Sequence, residues 1–153
     1  MQRLGTYSRV EPPGTRVARF WCPHARQSIS VLPAFLAARM SGTLDAIEAA
    51  VATVEEVGST AGAVELLHPP DQERPLSYGS ALRSIRRRLR AVRTTLLALV
   101  TLLPERFKDV APTLGALRAE LGTARILLTV RELLAPLLHA LPVPVGLGRR
   151  VNT

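Results

Sequence analysis

Apolar and polar residues alternate through residues 6–10 (Thr-Tyr-Ser-Arg-Val) and again through 16–22 (Arg-Val-Ala-Arg-Phe-Trp-Cys), the period-two pattern of half-buried strands. Glu11-Pro12-Pro13-Gly14 between them is a strong turn signal, so the two segments predict a β-hairpin. Gln27 to Leu32 supplies a short third strand. A sheet this small is marginal unless it packs on something else, and Tyr7, Phe20 and Trp21 are its expected hydrophobic anchor. Pro33 suits the first turn of a short helix ending near Arg39.

Beyond Met40 the period becomes helical. Ser41-Gly42-Thr43 reads as a helix start, with Asp45 and Glu48 complementing the positive helix end. Leu44, Ile47, Ala50 or Val51, and Val54 keep helical spacing until Gly58. Ser59 or Thr60 caps a shorter helix through Leu67, and His68 to Pro75 is a helix-breaking connector. Then Leu82, Ile85, Leu89, Val92, Leu96, Leu99 and Leu103 form a seam of alternating three- and four-residue steps, closed by Pro104. Helical stretches follow at about 113–121 and 124–140, separated by Gly122, with Pro136 expected to kink the second. The pattern therefore predicts a mainly α fold. It has a basic β-hairpin module at 1–39, a helix-turn-helix-like helical domain at 40–103 with a long Arg-rich helix at 78–103, C-terminal helices at 104–142, and a tail at 143–153.

Composition allows this. The 153 residues are 47% hydrophobic and 21% charged, enough for one packed domain and too apolar for wholesale disorder. Apolar runs are interrupted well short of the ~18 residues of a spanning helix, and the first seven residues lack the apolar core of a secretory signal. Cys22 is the one cysteine, so no internal disulfide forms and a reducing cytoplasm is expected.

Charge changes the picture more. The net charge is +8, and it is segregated. Residues 1–39 carry six Arg and one Glu, and residues 40–73 carry seven acids and no base. Residues 74–108 carry nine bases and one acid. Arg83, Arg86, Arg87, Arg88, Arg90 and Arg93 make up six of the eleven residues from 83 to 93. On a helix whose seam is 82, 85, 89 and 92, Arg83, Arg87 and Arg90 cluster on the far face, flanked by the other three. Such a rod suits phosphates or guanine edges, to which Arg bonds bidentately. The plainer reading is a solvated face partly paired with the acidic block at 44–56. Unpaired like charges at i, i+3 and i+4 cost a few tenths of a kcal/mol each, which argues for an anionic partner. In a trihelical DNA-binding unit the acidic helix is a support, 59–67 the second helix and 80–93 the third. The nine-residue connector His68 to Leu76 is longer than the turn of a strict helix-turn-helix.

Cys22 and His24 offer two ligands at most, with His68 and His139 remote and Ala25 three residues after Cys22. Structural zinc wants four. Arg19-Phe20-Trp21-Cys22-Pro23-His24 followed by Gln27-Ser28-Ile29-Ser30-Val31-Leu32-Pro33 resembles the end of the zinc-ribbon module at the front of insertion-sequence transposases and their small accessory proteins. There a cysteine knuckle runs into a Ser-rich strand and a helix-turn-helix region, often with an Arg-rich helix. Ala81-Leu82-Arg83-Ser84-Ile85-Arg86-Arg87-Arg88 is similar to the start of that helix. The likeness spans about residues 5–93. It implies a degenerate ribbon without metal, since the upstream cysteine pair is missing and the downstream pair keeps only Cys22.

No G-x-x-x-x-G-K-[ST], H-E-x-x-H or G-x-S-x-G motif occurs, and a transposase core does not fit in this length beside the helices. The sequence thus predicts a non-enzyme without cofactor, metal or small-molecule substrate. Its partner is DNA, contacted by Arg83, Arg86, Arg87, Arg88, Arg90 and Arg93, with Arg16 and Arg19 of the hairpin adding phosphate contacts; a nucleoid-associated, cytoplasmic location follows. The alternative is an interaction or homo-oligomerisation module using exposed leucine seams at Leu82 to Leu103 and Ile126 to Leu138. Peripheral attachment to anionic lipid is weaker, because the apolar face lacks an interfacial Trp.

Overall fold

The computed structural model describes residues 1–69 and 77–147. Most of the connector (70–76) and the last six residues of the expected tail (148–153), with Arg149 and Arg150, lie outside the described residues. Strands β1 (Gln2–Ser8), β2 (Arg16–Cys22) and β3 (Gln27–Val31) are followed by helices α1 (Leu44–Val57), α2 (Thr60–Leu67), α3 (Tyr78–Leu102), α4 (Pro104–Phe107), α5 (Leu114–Leu121) and α6 (Ile126–Leu133). The protein is mainly α with a small antiparallel sheet in the order β1-β2-β3.

The first strand starts earlier than its alternation suggests. It begins at Gln2, slips register between Arg3 and Gly5, and ends before Arg9 and Val10 enter the turn. None of Tyr7, Phe20 and Trp21 is buried; the fully buried residue of the sheet is Val17. The sheet is instead tied down by Arg9, whose guanidinium donates to the carbonyls of Ala37 at 3.1 Å and Met40 at 2.6 Å.

Local signals place α1 and α2 to within a residue or two. Thr43 and Ser59 accept from the backbone N–H groups of Ala46 and Gly62, and Gly58 ends α1 at φ +77°. α1, α2 and α3 pack on one another in a trihelical unit. The α3 seam is internal: Ile85, Leu89, Val92, Leu96 and Leu99 are buried in the same core as Leu44, Ile47 and Val51 of α1, Leu117 of α5 and Ile126 and Val130 of α6. The leucine seams expected to be exposed are therefore largely covered by the chain itself.

Three further expectations are corrected. Residues 33–39 form no helix but a turn and a bridge from Leu36 to Thr43, with the Leu44 N–H donating to the Phe35 carbonyl. The helix expected over 124–140 ends at Leu133 and gives way to a 3₁₀ turn at Ala135–Leu137. Pro136 has no N–H to continue the ladder, so it terminates the helix rather than kinking it. The expected tail begins as packed structure, since Pro144, Val145 and Gly146 are buried.

One side chain unites these segments. The Arg131 guanidinium on α6 donates to the carbonyls of Ala34, Leu36, Pro144 and Val145. It has no carboxylate partner among the described residues, and burial pushes its pKa down. Gly146 is required for the closure, because a Cβ there would sit 2.1 Å from the Leu141 carbonyl oxygen.

The acids of α1 act in the interior too. The buried Glu48 carboxylate accepts from the N–H groups of Ile126 at 3.1 Å and Leu127 at 2.9 Å, and from Arg118 at 3.1 Å. Two turns further along the same face, Glu55 accepts from the N–H groups of Leu114 at 3.1 Å and Gly115 at 3.2 Å. Each glutamate satisfies the orphan donors and positive end of a different helix, α6 and α5 respectively. The network is one acceptor short, since Arg118 Nε is buried with no partner.

Glu48→Ala strands two buried N–H groups and a half-buried arginine. It is expected to lower unfolding stability by about 3 kcal/mol, measured by urea denaturation, while Glu56→Ala at an exposed position stays within about 0.5 kcal/mol. Equal, small effects of the two would contradict this role for Glu48.

Candidate nucleic-acid interface

Helix α3 is 25 residues long, about 37 Å at 1.5 Å per residue. Its two halves do different work. Ser77 caps its start by accepting from the Ser80 N–H, and the arginines occupy the next turns. Because the seam faces the core, helical geometry turns the intervening positions outward: Arg83, Arg86, Arg87, Arg90 and Arg93 are exposed and Arg88 is half-buried.

The six do not form one cluster. Arg86, Arg90 and Arg93 line a shallow groove of about 330 Å³ with Leu89 and Thr94. Arg83 donates to the Ser80 hydroxyl at 3.2 Å, and Arg87 turns toward the 33–40 turn, donating to the Arg39 carbonyl at 3.3 Å. Along the axis Arg83 to Arg93 covers about 15 Å. That length admits several backbone phosphates in series.

Electrostatic compensation is local elsewhere and missing here. The two ion pairs among the described residues are Arg118–Glu48 and Arg125–Asp45. The second is bidentate, with Arg125 Nε and a terminal nitrogen on the two Asp45 oxygens at 3.1 and 2.7 Å, and the hydrogen bond raises the Arg125 pKa. The acidic block thus faces α5 and α6. The pairing of the plainer reading, between this block and the 83–93 arginines, is not formed among the described residues.

Arg16 and Arg19 are exposed on β2. Arg19 donates to the Ser28 hydroxyl at 2.8 Å. They stand on the sheet, apart from the α3 groove, so the eight residues expected to contact DNA fall on more than one surface. Arg39, which no motif singles out, links them. It is exposed and has a left-handed backbone, φ +55°, and it borders a cleft with Arg19 while its carbonyl holds Arg87. No local pattern marks such a residue; only the turn's long-range bonds put it there.

Cys22 is a free, half-buried thiol at the end of β2, with His24 exposed in the turn beside it. Among the described residues no three His, Cys, Asp or Glu side chains come together as a metal set, and no described helix is long and apolar enough to cross a membrane.

Since no described carboxylate holds Arg86, Arg90 or Arg93, replacing all three by Ala relieves like-charge repulsion without removing a contact the fold needs. The triple variant is expected to unfold at an equal or higher urea concentration than the parent. A loss above about 1 kcal/mol would show that these arginines hold the structure together.

Comparison of the chain with protein-family models, with curated proteins and with solved structures gave no match.

Proposed function

We propose that this protein binds duplex DNA through the exposed arginines of α3 and carries out no reaction on it. The observation that carries the reading is the uncompensated groove of Arg86, Arg90 and Arg93, beside an acidic helix whose Asp45, Glu48 and Glu55 are engaged by α5, α6 and the segment leading into α6. Guanidinium groups held on a rigid helix are suited to a phosphate backbone, where each contact releases a condensed counterion. The trihelical packing of α1, α2 and α3 supports α3 as the element presented to DNA, with α1 as its support.

The likeness of residues 5–93 to the ribbon-plus-helix module of insertion-sequence transposases favours the same reading, and with it a mobile-element origin and a nucleoid-associated location. The competing interaction-module reading is disfavoured by burial of the α3 seam.

The triple variant Arg86→Ala, Arg90→Ala, Arg93→Ala is expected to bind a labelled mixed-sequence duplex at least about tenfold more weakly at 100 mM salt, read by fluorescence anisotropy. Unchanged affinity in a variant with native circular dichroism would overturn the proposal.

A further inference from the structure

A larger concavity than the α3 groove lies elsewhere on the protein. A cleft of about 760 Å³ opens between one face of the sheet and the segments that Arg131 holds in place; Tyr7, Arg19, Ser28 and Ser30 form one wall, Arg39 and Leu147 the other. This volume falls in the roughly 300–1,000 Å³ range of clefts that enclose small organic ligands.

Strand register explains the first wall. Tyr7 pairs with Val17, Arg19 with Ser30 and Trp21 with Ser28, so these side chains share the face on which Val17 is buried. Past Val17 the face is open. Gly5 stands opposite Arg19 at φ +121°, with nothing within 4 Å of where its Cβ would be, and this leaves the strand without a side chain beside the guanidinium. The glycine sits at the register slip between Arg3 and Gly5, and a glycine inside a strand commonly marks a bulge or leaves room for a ligand.

The second wall is set against conformational preference. Arg39 sits at φ +55°, a region that non-glycine residues occupy at a cost and that clusters at functional sites. Its carbonyl is held by Arg87 at 3.3 Å. No carboxylate lines the cleft among the described residues.

We infer that this cleft is a second nucleic-acid site, and that it takes one unpaired DNA strand rather than a duplex. The inference rests on the DNA-binding reading of α3 and extends it. Arg19 and Arg39 offer two cations to the phosphodiester backbone, and the Ser28 and Ser30 hydroxyls add neutral donors. The Tyr7 ring, 42% exposed, offers a stacking surface that any base can use. A duplex is too wide to enter a cleft of this volume, whereas a single strand fits. The Arg87–Arg39 bond makes the cleft adjacent to the basic helix, so a strand separated from the duplex held by α3 has a short path into it.

The test uses the full chain, fluorescein-labelled dT12 and a labelled mixed-sequence duplex, both titrated by anisotropy. The cleft variant is Arg19→Gln, Arg39→Asn, chosen because Gln still reaches the Ser28 hydroxyl and Asn tolerates a left-handed backbone. It is expected to bind dT12 at least about tenfold more weakly, with a log–log salt slope shallower by roughly 1.4, and to lose clearly less affinity for duplex than for dT12. Tyr7→Leu is expected to weaken dT12 binding about tenfold without altering the slope. The α3 triple variant should show the converse, losing duplex more than dT12. Parental dT12 affinity in the cleft variant, or equal losses on both ligands, overturns the cleft site. If that happens while the triple variant still loses duplex, the α3 reading stands alone. If dT12 binds through the cleft and duplex does not bind at all, the α3 reading fails and the cleft survives it.

Discussion

Two glutamates two turns apart on one face of α1 decide where charge is available on this protein. Glu48 and Glu55 each lie across the N-terminus of another helix and accept its free N–H groups. A carboxylate in that position meets unsatisfied donors and the positive end of the helix dipole together, so α1 gathers α5 and α6 around itself. The same arrangement turns the acidic helix toward α5 and α6, and away from the arginines of α3. The chain's strong segregation of charge thereby becomes an internal fastening on one side and an open cationic surface on the other.

Arginine has two distinct uses here. Arg9 and Arg131 are fastened to backbone carbonyls and hold irregular segments that no helix or strand could fix. A guanidinium suits this because its donors are spread in a plane and cannot all be satisfied by one carbonyl. Burial without a carboxylate is costly for such a group, and four carbonyls of converging segments offset that cost at Arg131. Arg86, Arg90 and Arg93 of α3 have none of this support and project into solvent. High arginine content alone therefore says little about binding; the partners of each guanidinium separate the structural from the available ones.

How much was legible follows the range of the forces involved. α1, α2 and α3 were readable to within a residue or two, since their ends are set by Thr43, Ser59, Ser77, Gly58 and Pro104 within one turn of the boundary. Hydrophobic spacing likewise identified which face of α3 goes inward. Residues 33–39 were misread as a helix because what fixes them is Arg9 and Arg131, remote in sequence. Residues 143–147 were misread as a tail for the same reason: Val145 is buried and its carbonyl is bonded by Arg131, and neither fact has a local signature. At the candidate site the sequence singles out the α3 arginines, Arg16 and Arg19 as candidates, but not the division of the α3 set between a groove and the Arg39 turn. Arg39 was invisible because its importance lies in a backbone conformation.

The central claim is that the α3 arginines are free to neutralise phosphates. The salt dependence of duplex binding by the unmodified protein tests it most directly. One phosphate at each of the five exposed arginines predicts a log–log slope of roughly −4.5 between association constant and salt concentration. A slope near zero, or no binding at 50 mM salt, would contradict the account and leave the arginines as a solvated surface.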